Sequence, residues 1–445
     1  MTDELARALA KLPGMRVAGR GSSYAYKGKR ATAQEIGRAL DVGAVVEGSV
    51  RRADGRLGVS TRLVSTADGR VLWDSVFESR SRDVFAVQDE ITRAVVAALA
   101  PALAARVSVG GARGTTDQEA YELYLKGRYF WLQRGAANIT RSIAFYQAAV
   151  ARDPAFARAY AGLAAAYSTL PNYVPGTTDS AAAMVSLNAQ RALALDSTLV
   201  DAQLVLGIML DGQLKFREAL ARYRAAIQRD PSSVTGHHWL GMSLLNLGRT
   251  DEAFVELSHA AELDPLAPTP NGAVGLALMY ERRYPEARAV SRRVLALDSA
   301  FTFAIWTLGI AQAYGGQPDS AVRTFERGAR LHPEDSRMAA GLALSYAAAG
   351  RWKDAEHIRA QLHRPGATDS GWGDADLVDL RFGDRKPLVK RLTNEAGLRR
   401  FVGAGGILGC NPLFDPLWAD AEFVAAMRRL TVEPCGQARR GPIGR

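Results

Sequence analysis

The stretch that decides the fold is 234–265, which reads VTGHHWLGMSLLNLGRTDEAFVELSHAAELDP. Gly241 occupies its position 8 and Ala253 its position 20. Small residues at these two positions let two helices cross at short distance. Pro265, at position 32, lacks a backbone N–H and stops a helix. The stretch therefore predicts two antiparallel helices, the first of which ends at Gly248.

The same pattern returns along the chain with a constant step of 34 residues. The helix-closing positions are Ser197, Pro231, Pro265, Ser299 and Pro333. The small pair at positions 8 and 20 recurs as Gly207 with Ala219, Gly275 with Ala287, and Gly309 with Ala321. Pro154 continues this series after a nine-residue insertion, so we count seven hairpins from Glu119 to Leu362. A fixed period of this kind is the signature of stacked helical repeats.

These hairpins resemble tetratricopeptide repeats. The resemblance implies a mainly α fold in which the repeats form a right-handed superhelical solenoid. A small α/β domain is predicted to precede the solenoid. It also implies a concave groove, lined by the first helix of each repeat, in which peptides or extended partner segments bind. By repeat register the groove presents positions 2, 5, 9 and 12. The residues there are Asp201, Leu204, Ile208 and Asp211 in the third repeat, Thr235, His238, Met242 and Leu245 in the fourth, and Phe303, Trp306 and Ile310 in the sixth.

The predicted groove is mainly apolar and carries little positive charge. It lacks the Lys, Arg and Asn set with which chaperone-binding relatives hold a C-terminal carboxylate, so we do not expect such a partner. Trp306 with Phe303 is the predicted anchor pair, because aromatic residues concentrate binding energy at interfaces. The alternative is that these apolar side chains only pack helix against helix.

Residues 1–107 alternate helix and strand patterns. The predicted elements are a helix at 3–12, a short strand at 15–18, a helix from Thr32 to near Leu40, strands at 44–50, 57–63 and 71–77, and a helix from Val84 to about Val107. Glu35 stands three positions after Thr32, as in a capping box. Asp54-Gly55 and Asp68-Gly69 supply turns between the strands, and Asp83 is a candidate cap for the last helix.

This region resembles the TolB amino-terminal-like domain, also described as FlgO-like, which often precedes tetratricopeptide repeats in bacterial proteins. The matching segments are LPGMRV at 12–17, YKGK at 26–29, IGRALDV at 36–42, VEGSVRR at 46–52, GRVLW at 69–73 and DVFAVQDEI at 83–91. Members of that family begin with an apolar strand that is missing here. We therefore expect either a misplaced start codon or the distal piece of a longer chain, with an open sheet edge.

After a linker at 108–118 and the repeats at 119–362, residues 363–435 are predicted to form a degenerate repeat and a capping segment. The segment NPLFDPLWAD at 411–420 resembles the closing motif that follows the repeats in such proteins. Cys410 and Cys435 bracket the last predicted helix, and a disulfide between them would contribute about 3 kcal/mol. It would require an oxidising compartment; the alternative is two free cysteines. Residues 436–445 are predicted to be a flexible basic tail.

The chain has 445 residues and a formal net charge of +10, from 56 basic and 46 acidic side chains. So modest a surplus is weak evidence for nucleic acid, and we expect a protein or peptide partner. No apolar run approaches the roughly 18 residues that a membrane span requires, and the N-terminus lacks the pattern of a secretory signal. As written the chain is expected in the cytoplasm; an upstream membrane segment would make it face the periplasm.

The sequence indicates no catalytic chemistry. A phosphate loop, a dinucleotide-binding turn, the protein-kinase signatures and a Gly-x-Ser-x-Gly elbow are all absent. The six histidines show no metal-ligand spacing. We therefore predict a non-enzymatic chain with no catalytic residues, no cofactor, no bound metal and no small-molecule substrate.

Two functions stay open at the level of sequence. The first is a scaffold that holds a partner protein in the repeat groove. The second is the sensory or regulatory part of a larger bacterial signalling protein. In relatives this pair of modules often follows a protein kinase, a nucleotide cyclase or a winged-helix DNA-binding domain, so the resemblance implies an upstream effector. The missing first strand favours the second function.

Overall fold

The computed structural model describes residues 2–10, 12, 14–53, 56–80, 84–99 and 114–433. The chain forms two compact units, one of Met1–Glu122 with Ala261–Ala267 and one of Leu123–Ala260 with Pro268–Arg445. The predicted fold class is confirmed: helical hairpins make up most of the described chain, and a small sheet lies near the N-terminus.

The first unit combines short helices with a three-stranded antiparallel sheet of order β1-β2-β3. Its elements are α1 Thr2–Ala10, α2 Arg20–Ala25, α3 Ala33–Leu40, β1 Ala44–Ala53, β2 Arg56–Ser65, β3 Val71–Arg80 and α4 Val84–Leu99. The helix α3 has the predicted capping box. Thr32 Oγ1 accepts a hydrogen bond from the Glu35 amide, and the Glu35 carboxylate accepts one from the Thr32 amide. Two amides that a helix start leaves unpaired are satisfied in this way.

One face of the sheet packs against α4. Val59 and Phe77 from the strands are buried together with Ile91 and Val95 from the helix. Apolar residues therefore alternate along β2 and β3, while α4 covers their inward side chains.

The short strand predicted at 15–18 is wrong, because this segment has no regular secondary structure. Met15 and Val17 nevertheless pack against the core of the first unit. Their apolar spacing reflects burial of an irregular segment, not pairing in the sheet. The predicted turn at Asp54-Gly55, the cap at Asp83 and most of the predicted linker lie outside the described residues.

The segment Ala261–Ala267 also belongs to the first unit. The Asp264 carboxylate accepts hydrogen bonds from the Gly21 amide at 2.9 Å, the Ser22 amide at 2.6 Å and the Ser22 hydroxyl at 2.6 Å. Burial raises the pKa of Asp264, although these hydrogen bonds act in the opposite direction. Two of these bonds satisfy the Gly21 and Ser22 amides in the first turn of α2, which the short helix itself leaves without partners.

The helices α5–α18 form seven consecutive hairpins within residues 118–362, as many as the repeat pattern predicts. The pairs are α5 Gln118–Gln133 with α6 Ala136–Arg152, α7 Ala157–Thr169 with α8 Thr178–Leu195, α9 Val200–Gly212 with α10 Phe216–Arg229, α11 Val234–Asn246 with α12 Thr250–Leu263, α13 Pro268–Tyr280 with α14 Tyr284–Leu297, α15 Thr302–Ala313 with α16 Pro318–Leu331, and α17 Ser336–Ala348 with α18 Trp352–Leu362.

A large side chain from the second helix of several hairpins lies directly against a glycine of the first helix. Tyr223 lies against Gly207 in this way, and the Phe325 ring lies against both Gly309 and Gly341. A Cβ atom added to Gly309 would come within 2.2 Å of that ring. At Gly207 and Gly309, position 8 is therefore kept small because a ring from position 24 occupies the space. Sequence reasoning had attributed the small residue to close approach of the two helices alone.

The C-terminal residues of the second unit form the helices α19 Asp374–Arg381, α20 Lys386–Thr393, α21 Glu395–Gly403 and α22 Ala421–Arg429, and a 3-10 helix at Pro412–Ala419. This segment does more than cap the seventh hairpin. The Leu408 amide donates to Asn246 Oδ1 at 3.1 Å, and the Glu433 amide donates to the Leu247 carbonyl at 3.0 Å. The chain thus returns to the turn of the fourth hairpin.

Candidate functional site

The second unit contains a cavity of about 480 Å³, which we call the inner cavity. Its walls come from the first helices α9, α11 and α13, from the residues that connect α7 to α8, and from residues 399–407 after the repeats. The volume falls in the range of about 300–1,000 Å³ that is usual for ligand-binding sites. The repeat array and the returning C-terminal segment form this site jointly.

The predicted groove residues separate into three groups. Those that line the inner cavity are Ile208, Asp211, His238, Met242 and Phe303. Those buried in the hydrophobic core are Leu204, Leu245, Trp306 and Ile310. Asp201 and Thr235 are half-buried and do not line the cavity. The register therefore selected helices that line the inner cavity, but only part of the cavity's lining.

The predicted anchor pair needs correction. Trp306 is only 3% exposed and makes edge-to-face contacts with Trp372 and Phe325, at ring-centroid distances of 5.4 and 5.7 Å. Trp372 comes from the C-terminal segment, which the repeat register does not describe, and it covers the face that Trp306 would offer to a partner. Phe303 remains at the cavity wall, where its ring meets that of Tyr173.

Asp211 is held by two hydroxyl groups at the cavity wall. Tyr223 donates to Asp211 Oδ2 at 2.8 Å and Ser243 donates to Oδ1 at 2.8 Å. Burial raises the pKa of the Asp211 carboxyl to about 7, although the two hydrogen bonds act in the opposite direction. Near neutral pH this group therefore exchanges its proton readily.

Because burial raises the pKa of Asp211, the stability of the folded chain should depend on pH, and Asp211→Asn should remove this dependence. The folded chain keeps the carboxyl protonated up to about pH 7, whereas an unperturbed Asp loses its proton near 3.8. Between these values the folded state binds more protons, so stability falls as pH rises, by up to about 1.4 kcal/mol per pH unit. Thermal unfolding should show that the stability of Asp211→Asn rises relative to that of the wild type between about pH 4 and about pH 7. A gap that stays constant with pH contradicts this account.

His238 is the second titratable group at the cavity wall. Burial, with a further contribution from the positive charge of Arg134, lowers its pKa to about 3. The imidazole is therefore neutral under physiological conditions. Its Nδ1 atom is buried and has no hydrogen-bond partner within the described part of the chain. A buried polar atom without a partner is unusual in a folded protein and points to an occupant or ordered water.

Arg134 lies between the helices of the first hairpin and also lines the cavity. Its Nε donates to Thr269 Oγ1 at 3.2 Å and its Nη1 to Thr169 Oγ1 at 3.4 Å, while its guanidinium stacks on Trp131 at 4.1 Å. Burial lowers its pKa, but a guanidinium remains charged in proteins. No carboxylate within the described residues pairs with it. Sequence reasoning missed Arg134 because it stands in the connection between two helices, outside the repeat register.

The residues that connect α7 to α8 supply the remaining polar wall. The Asn172 carbonyl accepts a hydrogen bond from Arg337 Nη2 at 2.6 Å, which fixes this connection in place. Asn172 Oδ1 is buried and, within the described residues, has no hydrogen-bond partner. The nine-residue insertion was the one sequence signal for this wall, since it marked the second hairpin as unusual.

The other sequence-based expectations have mixed outcomes. Cys410 is buried, but Cys435 lies outside the described residues, so the disulfide stays a prediction. Within the residues that the structure covers, no group of three or more His, Cys, Asp or Glu residues is arranged to hold a metal ion. Over the same residues, no helix combines the length and the apolarity needed to cross a membrane.

The family model for the tetratricopeptide repeat matches residues 204–268 and 307–365. A relative from Rhizobium meliloti (strain 1021), named "Putative adenylate cyclase 3", is 32% identical over 255 residues, which are 57% of this chain and 38% of the relative. The chain thus spans well under half the length of that curated relative.

Similar solved structures extend the comparison to the fold. In "Crystal structure of APC/C hetero-tetramer Cut9-Hcn1", the matched chain is 13% identical with a TM-score of 0.50, over 77% of this chain and 58% of that one. The chain in "Crystal structure of YrrB: a TPR protein with an unusual peptide-binding site" is 17% identical with a TM-score of 0.32, over 44% of this chain and 97% of that one. At such identities the first likeness shows the fold alone. The hairpins within residues 204–268 and 307–365 match the tetratricopeptide repeat.

Proposed function

We propose that the chain is a non-enzymatic scaffold whose repeat array binds a partner protein. The observation that carries the proposal is the inner cavity, because five residues from the predicted groove positions line it: Ile208, Asp211, His238, Met242 and Phe303. These half-buried side chains lie on the first helices α9, α11 and α15 and offer a surface to a short partner segment. Affinity at such surfaces comes from a few well-packed contacts.

Partner capture with the full chain tests this proposal. Met242→Glu places a charge at the cavity wall, and Val255→Glu places the same charge on the outer surface, where Val255 is 65% exposed. We expect the first variant to lose at least about tenfold of the captured partner, because it replaces an apolar contact at the cavity wall with a charged side chain. The second variant should capture as the wild type does. Equal capture by both variants would exclude the cavity as the partner site.

A second candidate is the sensory or regulatory part of a larger signalling protein whose effector lies upstream, a kinase, nucleotide cyclase or winged-helix regulator. The observation in its favour is the relative named as an adenylate cyclase, of which this chain spans 38%. The DNA upstream of Met1 distinguishes the candidates: an in-frame effector domain supports the second. A nearby stop codon, together with stable folding of this chain alone, contradicts it.

The identity of the first unit as a TolB-like domain also remains a proposal. It is supported by the order of α3, three antiparallel strands and α4, and by the capping box at Thr32. The order of elements agrees with the matching sequence segments, but many α/β folds share such an order.

A further inference from the structure

We propose that the inner cavity binds a small organic anion, with the negative group at Arg134 and the apolar part against Trp239, Met242 and Phe303. This inference goes beyond the partner-binding scaffold, and it supplies the ligand that a sensory module requires. The chemical class is a carboxylate on an aromatic or branched aliphatic carrier. A peptide segment of a partner is the competing occupant.

Arg134 carries a charge that no carboxylate of the described residues neutralises, and it has hydrogen-bond donors to spare. A guanidinium has five N–H donors, and the hydroxyls of Thr169 and Thr269 engage two of them. The stacking on Trp131 orients the plane of the group. A planar guanidinium fixed in this way has donors left for a carboxylate, which it can bind through two parallel hydrogen bonds.

The carboxylates that line the inner cavity together with Arg134 already have other partners. Asp179, at the cavity wall, already pairs with Arg400 at 2.8 Å, and Arg399 pairs with Glu395. Asp211 is bound by the hydroxyls of Tyr223 and Ser243. Every carboxylate of the described lining thus has partners other than Arg134. A half-buried cation without a counter-charge is costly, and an anionic ligand would remove that cost.

Two polar atoms at the cavity wall also point to an occupant. His238 Nδ1 and Asn172 Oδ1 are buried, line the same cavity and have no hydrogen-bond partner among the described residues. A neutral imidazole nitrogen either donates or accepts according to its tautomer, and an amide oxygen accepts. A ligand with an N–H or O–H donor besides its negative group would satisfy both the charge and the amide oxygen.

The rest of the cavity wall includes aromatic and other apolar side chains. Trp239 meets Trp131 edge to face at 6.3 Å, and Phe303 meets Tyr173 edge to face at 6.5 Å, so aromatic rings make up part of the apolar wall. The volume of about 480 Å³ suits one compact ligand. A long extended segment would have to displace residues 402–407, which close one side of the cavity.

Isothermal titration of the full chain with indole-3-acetate tests the proposal. This probe has a carboxylate, an aromatic ring and one N–H donor, and indole-3-acetamide is its neutral isostere. We expect the acid to bind at least about tenfold more tightly than the amide, because a charge-assisted bidentate contact is lost in the amide. In Arg134→Gln that preference should disappear, with the affinity for the amide unchanged.

The comparison of acid with amide on the wild-type chain stands even if Arg134→Gln fails to fold. Equal affinities, or no binding of either probe, overturn the proposal. A tetrapeptide acetyl-Leu-Glu-Leu-Leu-amide forms the other arm: if it binds and the indole acid does not, the occupant is an acidic partner segment and the proposal is wrong. Partner capture with the Met242 and Val255 variants uses no acid, so the scaffold function can fail or hold independently.

Discussion

Replacing Phe325 with alanine is expected to lower the free energy of unfolding of the repeat array by about 3–5 kcal/mol. The ring is 0% exposed and meets Trp306 edge to face at 5.7 Å. It fills the space that two glycines leave open, one in the first helix of its own hairpin and one in the next. Alanine would empty this space, and the backbones of α15, α16 and α17 cannot close it without losing their other contacts.

Denaturant unfolding followed by far-ultraviolet circular dichroism measures this loss. Repeat arrays unfold through nearest-neighbour coupling, so the midpoint and the slope of the transition should be compared together. Phe325→Leu retains much of the volume and should lose far less. Val255→Ala, at an exposed position of α12, should change stability by no more than about 0.5 kcal/mol. A loss below about 1 kcal/mol for Phe325→Ala would show that the hairpins repack around the gap.

The repeat architecture could be predicted from sequence because each hairpin repeats the same local physics. Gly241, Ala253 and Pro265 each act within one hairpin or its immediate neighbour, so a period of 34 residues exposes them. The capping box at Thr32 was equally visible, since its two partners are three residues apart. Local constraints of this kind leave a regular trace in the sequence.

The candidate site could be predicted only in part because its walls join distant segments. Repeat register selected His238 and Met242 on α11, and both line the inner cavity. It had no means to find Arg134, which occupies an inter-helix connection with a positive φ of 55°. It also could not foresee that Trp372 would cover Trp306. Contacts between segments far apart in sequence carry no periodic signal.

A second large effect is expected at Asp335 and Arg337, a buried ion pair at the start of α17. Arg337 is 4% exposed, and its Nε and Nη2 donate to the two Asp335 oxygens at 2.8 and 2.7 Å. The guanidinium also lies 5.2 Å from the ring centroids of both Phe303 and Trp372. Removal of one partner would leave a buried charge without its counter-ion.

Asp335→Asn isolates the charge from the cap. Asp335 also caps α17, since its carboxylate accepts a hydrogen bond from the Arg337 amide. Asparagine is an equally good cap, so the variant keeps that bond but loses the negative charge and the Oδ2 acceptor of Arg337 Nη2. We expect it to lower the free energy of unfolding by about 3–5 kcal/mol, measured by denaturant unfolding.

The double variant Asp335→Asn with Arg337→Met decides whether the loss comes from the stranded charge or from packing. Methionine keeps an apolar side chain at this position and removes the need for a counter-ion, so most of the stability should return. Additive losses in the two single variants would instead mean that the pair contributes little coupling energy. Asp354→Asn is the matched control, because the Arg351–Asp354 pair is half exposed on both sides and its loss should leave the unfolding midpoint unchanged. Arg337 also donates a hydrogen bond to the Asn172 carbonyl. If Asp335→Asn frees this connection, the binding of indole-3-acetate should weaken. The double variant, which regains stability, then separates that effect from the loss of stability.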